Sequence, residues 1–271
     1  MNKLVNCGLE NRFGTNCLKW DGLKSRFGNE NLIAMWVADM DFKAPQPVID
    51  ALKERVNHGI FGYNIIPDSY YEAFINWEKE KHGYNVKKEW IRFSPGVVPA
   101  LFWFINILTN PGDSCIVMEP VYYPFHDAIK ENERKLIFNN LKNDNGIYTI
   151  DFEKFEEDII ENQVKLFILS SPHNPIGRVW TKEELKRVLD ICKANDVFVL
   201  ADEIHQDIII GDKKQIPAAT IGNYDDILVT LTAATKTFNL ASCQNSFVVI
   251  PNDEIREKFD KYYNSIGGDN G

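Results

Sequence analysis

The chain has 271 residues, 44% of them hydrophobic and 25% charged, a balance that excludes disorder, collagen-like repeats and a disulfide-stapled miniprotein. Thirty basic residues against 39 acidic ones leave a formal charge of −9, a sign that repels phosphate backbones, so no nucleic-acid partner is expected. Five cysteines (Cys7, Cys17, Cys115, Cys192 and Cys243) are scattered without a CxxC pair. They form neither a disulfide framework nor a zinc site, so no metal is expected, and they suit the reducing cytoplasm. No run approaches the ~18 apolar residues of a membrane span, and the opening MNKLVNCGLENRFGTN lacks the apolar core of a signal peptide. No membrane partner is expected.

Residues 1–45, with the aromatic, acidic and proline-rich MWVADMDFKAPQPV, read as an arm or lead-in, and 46–271 read as one large domain. The stripe of Tyr70, Phe74 and Trp77 predicts a helix over 69–82, ending before Gly83. A buried strand follows at 91–96, then a mostly apolar helix at 97–109 closed by Asn110-Pro111-Gly112. Further strands are predicted at 114–120 and 165–172. Residues 182–194 carry Leu185, Val188, Leu189 and Cys192 on one helical stripe, and Thr181 with Glu184 makes a capping box at its start. Strands at 196–203, 226–236 and 245–251 and a helix at 254–265 complete the pattern. Each strand is a short Val, Ile and Phe-rich run without alternation, as burial on both faces requires, and helix-length segments lie between several of them. That pattern is an α/β fold with a largely parallel sheet.

In such sheets a ligand lies beyond the carboxyl ends of the strands. The residues standing there include Val97 and Val98, Tyr122 and Tyr123, Asn174, Asp202 with His205, and Thr235 with Lys236. A lysine at the mouth of a buried strand has a desolvated amine suited to nucleophilic work, although a lysine snorkelling out of a strand end looks the same. Asp202 ends VFVLAD, and a carboxylate there needs a cation, a metal or several donors; a structural ion pair and a protonated pyridine nitrogen both satisfy it. Asn174 sits in the rigid turn SSPHNPIG, and turn chemistry alone would explain it. The helix opening at Val97 and Val98 offers free N–H groups to a phosphate, as any helix start does. The paired tyrosines offer a flat face to an aromatic ligand or simply pack. No GxGxxG follows a strand, which weighs against a dinucleotide site.

Seven phrases in order, MWVADMDF (35–42), FGY (61–63), SPGVVPAL (94–101), EPVYYPF (119–125), SSPHNPIGRVW (170–180), ADEIHQD (201–207) and TKTFNLASCQNS (235–246), resemble the fold-type I, pyridoxal-phosphate-dependent class I/II aminotransferase superfamily. Within it they look most like the cystathionine β-lyase (C–S lyase, MalY/PatB-like) branch. The resemblance implies a three-layer α/β/α large domain with a mostly parallel mixed sheet. It implies pyridoxal 5′-phosphate as cofactor, bound covalently by Lys236. Asp202 would pair with the pyridinium nitrogen, Asn174 with the ring hydroxyl, and His205 would lie beside it. Tyr122 or Tyr123 would stack on the ring. Val97, Val98 and Thr235 would hold the phosphate, and Tyr63 would reach the phosphate of a neighbouring subunit, making the site a property of a homodimer.

Three departures stand out. His205 replaces the tyrosine found in many aminotransferases, which suits the C–S lyase branch. Ala233 and Gln244 stand where a serine and an arginine often bind phosphate. The C-terminal small domain, with its substrate-carboxylate arginine, is missing from the pattern, which leaves the large domain truncated at its C-terminal end. The activity implied is β-elimination from an amino acid such as cystathionine or another cysteine S-conjugate, yielding thiol, pyruvate and ammonia. Transamination uses the same residues and stays open, as does a cofactor-binding fragment without turnover.

Overall fold

Apolar runs that bury both faces have to lie in the middle of a layered structure, and the runs at 91–96, 114–120, 165–172, 196–203, 226–236 and 245–251 do so. In a computed structural model that describes residues 8–268, they become β1 (Ile91–Ser94), β2 (Ser114–Glu119), β6 (Val164–Ser170), β7 (Phe198–Asp202), β8 (Leu228–Thr232) and β9 (Ser246–Val249). One more strand, β3 (Lys135–Asn140), joins them, and β4 (Lys142–Asp144) pairs with β5 (Ile147–Thr149) in a separate hairpin. The helices are α1 (Leu18–Asp21), α2 (Leu23–Phe27), α3 (Gln46–His58), α4 (Asp68–Trp77), α5 (Val97–Leu108), α6 (Pro124–Glu131), α7 (Phe152–Glu161), α8 (Lys182–Ala194), α9 (Ala234–Thr237) and α10 (Asp253–Ser265).

The chain divides into two compact units. One contains Asn64–Ala233 and the chain from Asn245 onward; the other contains Ala234–Gln244 and the chain up to Tyr63. The larger unit holds a seven-stranded sheet of order β1-β9-β8-β7-β6-β2-β3. Strands β8, β7, β6, β2 and β3 are parallel. Strand β9 is antiparallel to both β8 and β1, so β1 again runs with the majority and the sheet is mixed.

Successive side chains of a strand point to opposite faces, and the core divides accordingly. On one face Ile116, Met118, Phe167, Leu169, Val199 and Ala201 pack with Phe155 and Ile159 of α7 and with Leu185, Val188, Leu189 and Cys192 of α8. On the other, Cys115, Val117, Leu166, Ile168, Leu200, Val229 and Val248 pack with Leu101 and Phe104 of α5, Phe125 and Ile129 of α6, and Ile255 and Phe259 of α10. Helices on both faces of a mostly parallel sheet make the expected three layers.

Helix α8 starts with the capping box read from its sequence: Thr181 Oγ1 accepts from Glu184 N at 3.1 Å, and Thr181 N donates to Glu184 Oε2 at 2.8 Å. The helix predicted over 69–82 runs unbroken to His82 and ends before Gly83, but it changes type on the way. It is α-helical to Trp77 and widens into a π turn over Glu78–His82, where Asp207 Oδ1 accepts from Trp77 Nε1 at 3.1 Å and lies 2.8 Å from His82 Nε2. Such a widening rotates the last turn relative to a regular helix. The lead-in reading of residues 1–45 misses α1 and α2. Among the described residues Cys17, Cys115, Cys192 and Cys243 are free thiols; Cys7 lies outside the described residues. No helix among the described residues is long and apolar enough to cross a membrane.

Candidate active site

In the larger unit the carboxyl ends of β1, β2, β6 and β7 share one edge of the sheet, and seven of the residues singled out above follow those ends. Val97 and Val98 open α5 directly after β1, with extended Gly96 as the N-cap residue and no side chain capping the helix. First-turn N–H groups have no partner within their own helix, so those of Val97 and Val98 are donors for an anion. Asp202 ends β7 with 7% of its surface exposed. Its Oδ1 accepts from Ile204 N at 3.1 Å, and its main-chain carbonyl accepts from Ser171 N at 2.9 Å, which ties the end of β7 to the loop after β6.

That loop carries Asn174, whose N donates to Ser170 Oγ at 3.1 Å. His173 beside it is buried, which holds the imidazole below its usual pKa, and as a neutral ring it donates from Nε2 to Pro120 O at 2.9 Å. The loops after β6 and β2 are thereby joined. The loop after β2 presents Tyr122, half-buried, and Tyr123, 59% exposed, with ring centroids 5.7 Å apart. Burial raises the Tyr122 phenol, and the nearby charges of Tyr123 and Asp202 add to the effect. His205 follows Asp202 and is half-buried.

Lys236, Thr235 and Tyr63 belong to the smaller unit. Lys236 lies in the single turn of α9, and its Nζ donates to Ala38 O at 3.0 Å. Thr235 is buried, and Tyr63 is 95% exposed. Of the two departures noted above, Ala233 is buried and Gln244 adopts a left-handed backbone with φ of 47°.

The donor set fits pyridoxal phosphate. A buried carboxylate held by the Ile204 N–H can receive a protonated ring nitrogen, and a helix start without a side-chain cap can receive a phosphate.

A buried acid cluster beside Asp202 was not legible in the sequence. Glu203, fully buried, accepts at Oε1 from Ala218 N at 2.7 Å, and its Oε2 has no hydrogen-bond partner among the described residues. Gln206 Nε2 donates to Glu78 Oε1 at 2.6 Å and to Thr232 Oγ1 at 3.1 Å. Burial pushes Glu203 up to about 8, with the charges of Glu78 and Asp202 adding to it. Burial likewise pushes Glu78 up to about 7, against the opposing pull of His82 and the Gln206 amide. Glu78 lies one helical turn after buried Phe74, on the same inward face.

Both carboxyls titrate higher in the fold than in the unfolded chain, so the fold binds more protons than the unfolded state from about pH 4.5 upward. Their contribution to stability is therefore full below the unfolded value and is lost as pH rises through about 7 and 8. Urea unfolding of the wild type is expected to lose several kcal/mol between pH 5 and pH 8.5. Glu203→Gln should remove a clear part of that slope, and a slope identical in the two proteins would contradict the assignment.

The class I and II aminotransferase family profile matches residues 30–265. Cystathionine β-lyase PatB of Bacillus subtilis (strain 168) is 42% identical over 262 residues, covering 96% of this chain and 68% of PatB. The crystal structure of Treponema denticola cystalysin, containing pyridoxal 5′-phosphate, superposes with a TM-score of 0.90 at 37% identity, covering 95% of this chain and 66% of that one. The PLP-bound C–S lyase of Staphylococcus hominis superposes at 0.89 with 35% identity, covering 94% of this chain and 65% of that one. The chain thus spans about two thirds of the length of these relatives. It belongs to the pyridoxal-phosphate-dependent class I and II aminotransferase family, in its PatB-like C–S lyase branch.

Proposed function

We propose that this chain supplies the cofactor-binding machinery of a C–S β-lyase that takes cystathionine or related cysteine S-conjugates to a thiol, pyruvate and ammonia. The observation that supports this reading is its likeness to C–S lyases across more than nine-tenths of the chain, a range that includes every residue assigned a role. When bound, pyridoxal phosphate supplies an electron sink for the pair left on the substrate Cα.

The chain's own residues divide the remaining work. Lys236 holds the cofactor and, once the substrate amine has replaced it, removes the Cα proton with Nζ. Asp202 keeps the ring nitrogen protonated, which needs an ionised carboxylate in a buried position. The raised pKa of the adjacent Glu203 keeps a second negative charge away from that carboxylate at neutral pH. Asn174 donates to the ring hydroxyl, with His205 beside it. Tyr122 is favoured over Tyr123 as the stacking ring because it is half-buried and lies within the field of Asp202. Val97, Val98 and Thr235 bind the phosphate.

Tyr63, together with Ile60 at 64% and Phe61 at 69% exposure, presents apolar surface that a second copy would cover; this supports a homodimer in which Tyr63 serves the partner's phosphate. Free thiols fit a cytoplasmic setting.

The purified protein, given pyridoxal phosphate and L-cystathionine, is expected to release pyruvate with no 2-oxo acid added, followed by coupled lactate dehydrogenase. Turnover that depends strictly on an added 2-oxo acid would replace the lyase reading with transamination. Bound cofactor without pyruvate would leave a binding fragment.

A further inference from the structure

We propose that Asn239 is a positioning residue for Lys236, holding residues 38–42 in register so that the Ala38 carbonyl meets the lysine amine. This rests on the reading of Lys236 as the cofactor lysine.

The geometry lies within the smaller unit. Asn239 stands three positions after Lys236 with φ of 56°, a left-handed conformation that asparagine tolerates better than most side chains. Its amide is spent on one stretch of backbone. Oδ1 accepts from Met40 N at 3.1 Å, while Nδ2 donates to Met40 O at 2.9 Å and to Phe42 O at 2.8 Å. A single side chain thus supplies the bonds that a neighbouring strand would.

The side chains of the same stretch are fixed separately. Arg12 Nη2 donates to Asp39 Oδ2 at 2.7 Å and its Nη1 to Asp41 Oδ1 at 3.0 Å, while Lys19 Nζ and Trp20 Nε1 donate to Asp41 at 3.1 Å and 2.9 Å. The aspartates set the orientation of the stretch, and Asn239 sets its position along the lysine-bearing turn. Two residues before Met40, the Ala38 carbonyl then falls 3.0 Å from Lys236 Nζ. Arg12 Nη1 and Lys19 Nζ also donate to the Met40 and Asp39 carbonyls, at 3.1 Å and 3.2 Å, but they tie the stretch to residues 12 and 19, whereas Asn239 ties it to the lysine-bearing turn. A displacement of about 1 Å at a reacting group is enough to cost activity severely.

The test uses the full chain stripped of cofactor. Pyridoxal 5′-phosphate condenses with an amine, releasing water, and borohydride then delivers hydride to give a stable secondary amine. Mass spectrometry of the digest reads incorporation at Lys236 against exposed Lys214. Asn239→Gly removes every side-chain bond yet leaves the positive-φ backbone unstrained. Incorporation at Lys236 is expected to fall about tenfold relative to wild type while Lys214 and the far-UV CD are unchanged. In the cofactor-loaded protein, the pH midpoint of the visible absorbance change is expected to move as well. Asn239→Asp keeps the acceptor for Met40 N and loses both donors, so its labelling should fall between the two.

Wild-type labelling of Lys236 in Asn239→Gly overturns the proposal. Should that variant fail to fold, wild-type labelling in Asn239→Asp overturns it instead. Wild-type incorporation at Lys236 that is no greater than at Lys214 refutes the cofactor reading, whatever Asn239 does.

Discussion

Lys236→Ala is expected to abolish pyruvate release, by on the order of 10³-fold or more, and to remove the visible absorbance of covalently held cofactor. The size follows from two roles held by one amine. The same Nζ that binds the cofactor also takes the Cα proton, so truncation removes the covalent anchor and the base together. The fold should survive. In the smaller unit this side chain donates to a main-chain carbonyl, Ala38 O, and alanine suits the short α9. Circular dichroism unchanged from wild type, with activity gone, is the expected pair of results. Retention of more than about a tenth of wild-type turnover would remove Lys236 from the mechanism.

Trp180→Ala is expected to cost about 4 kcal/mol of stability, seen as a lower urea midpoint with little change in the m-value. Trp180 is 1% exposed at the centre of the core on the α7 and α8 face. Its Nε1 donates to Ser170 O at 3.0 Å, its ring meets His173 edge-on at 5.4 Å, and the Arg178 guanidinium lies 4.9 Å over it. Arg178 is itself ion-paired to Glu184 in the first turn of α8. One indole therefore clamps both ends of the turn that presents Asn174. Alanine would leave a cavity and orphan a buried carbonyl, and both count against the fold. Weaker cofactor binding should accompany the lost stability, since Asn174 loses its support. A cost below about 1 kcal/mol would show that the loop is held by its own turns instead.

The elements legible in the sequence were those whose pattern arises locally. The doubly buried strands announced themselves as uninterrupted Val, Ile and Phe runs, and α8 by its stripe and capping box. Strand β3 escaped because it is an edge strand with one neighbour, half of it exposed, and KLIFNN lacks the density of apolar residues that two-faced burial imposes. The π turn at Glu78 escaped because the pull on it comes from Asp207, more than a hundred positions away. The candidate residues were readable as strand-end residues because the topology of such sheets puts ligands there. Asn239 and the Arg12 clamp were not, since every one of their bonds spans most of the chain or joins side chains whose pairing no spacing encodes.

The bonds between Asn239 and Met40 join positions 199 apart. During synthesis the first 63 residues leave the ribosome long before the segment Ala234–Gln244 that completes their unit exists. The larger unit is laid down in the interval, and the chain leaves it after Ala233 only to return at Asn245 for β9. The surroundings of the lysine are therefore assembled only after the strands β1 to β8 of the larger unit have been made. A ribosome stalled before position 234 would carry an amino-terminal region still waiting for its counterpart and a β1 left unpaired, because its sheet neighbour β9 has yet to be made.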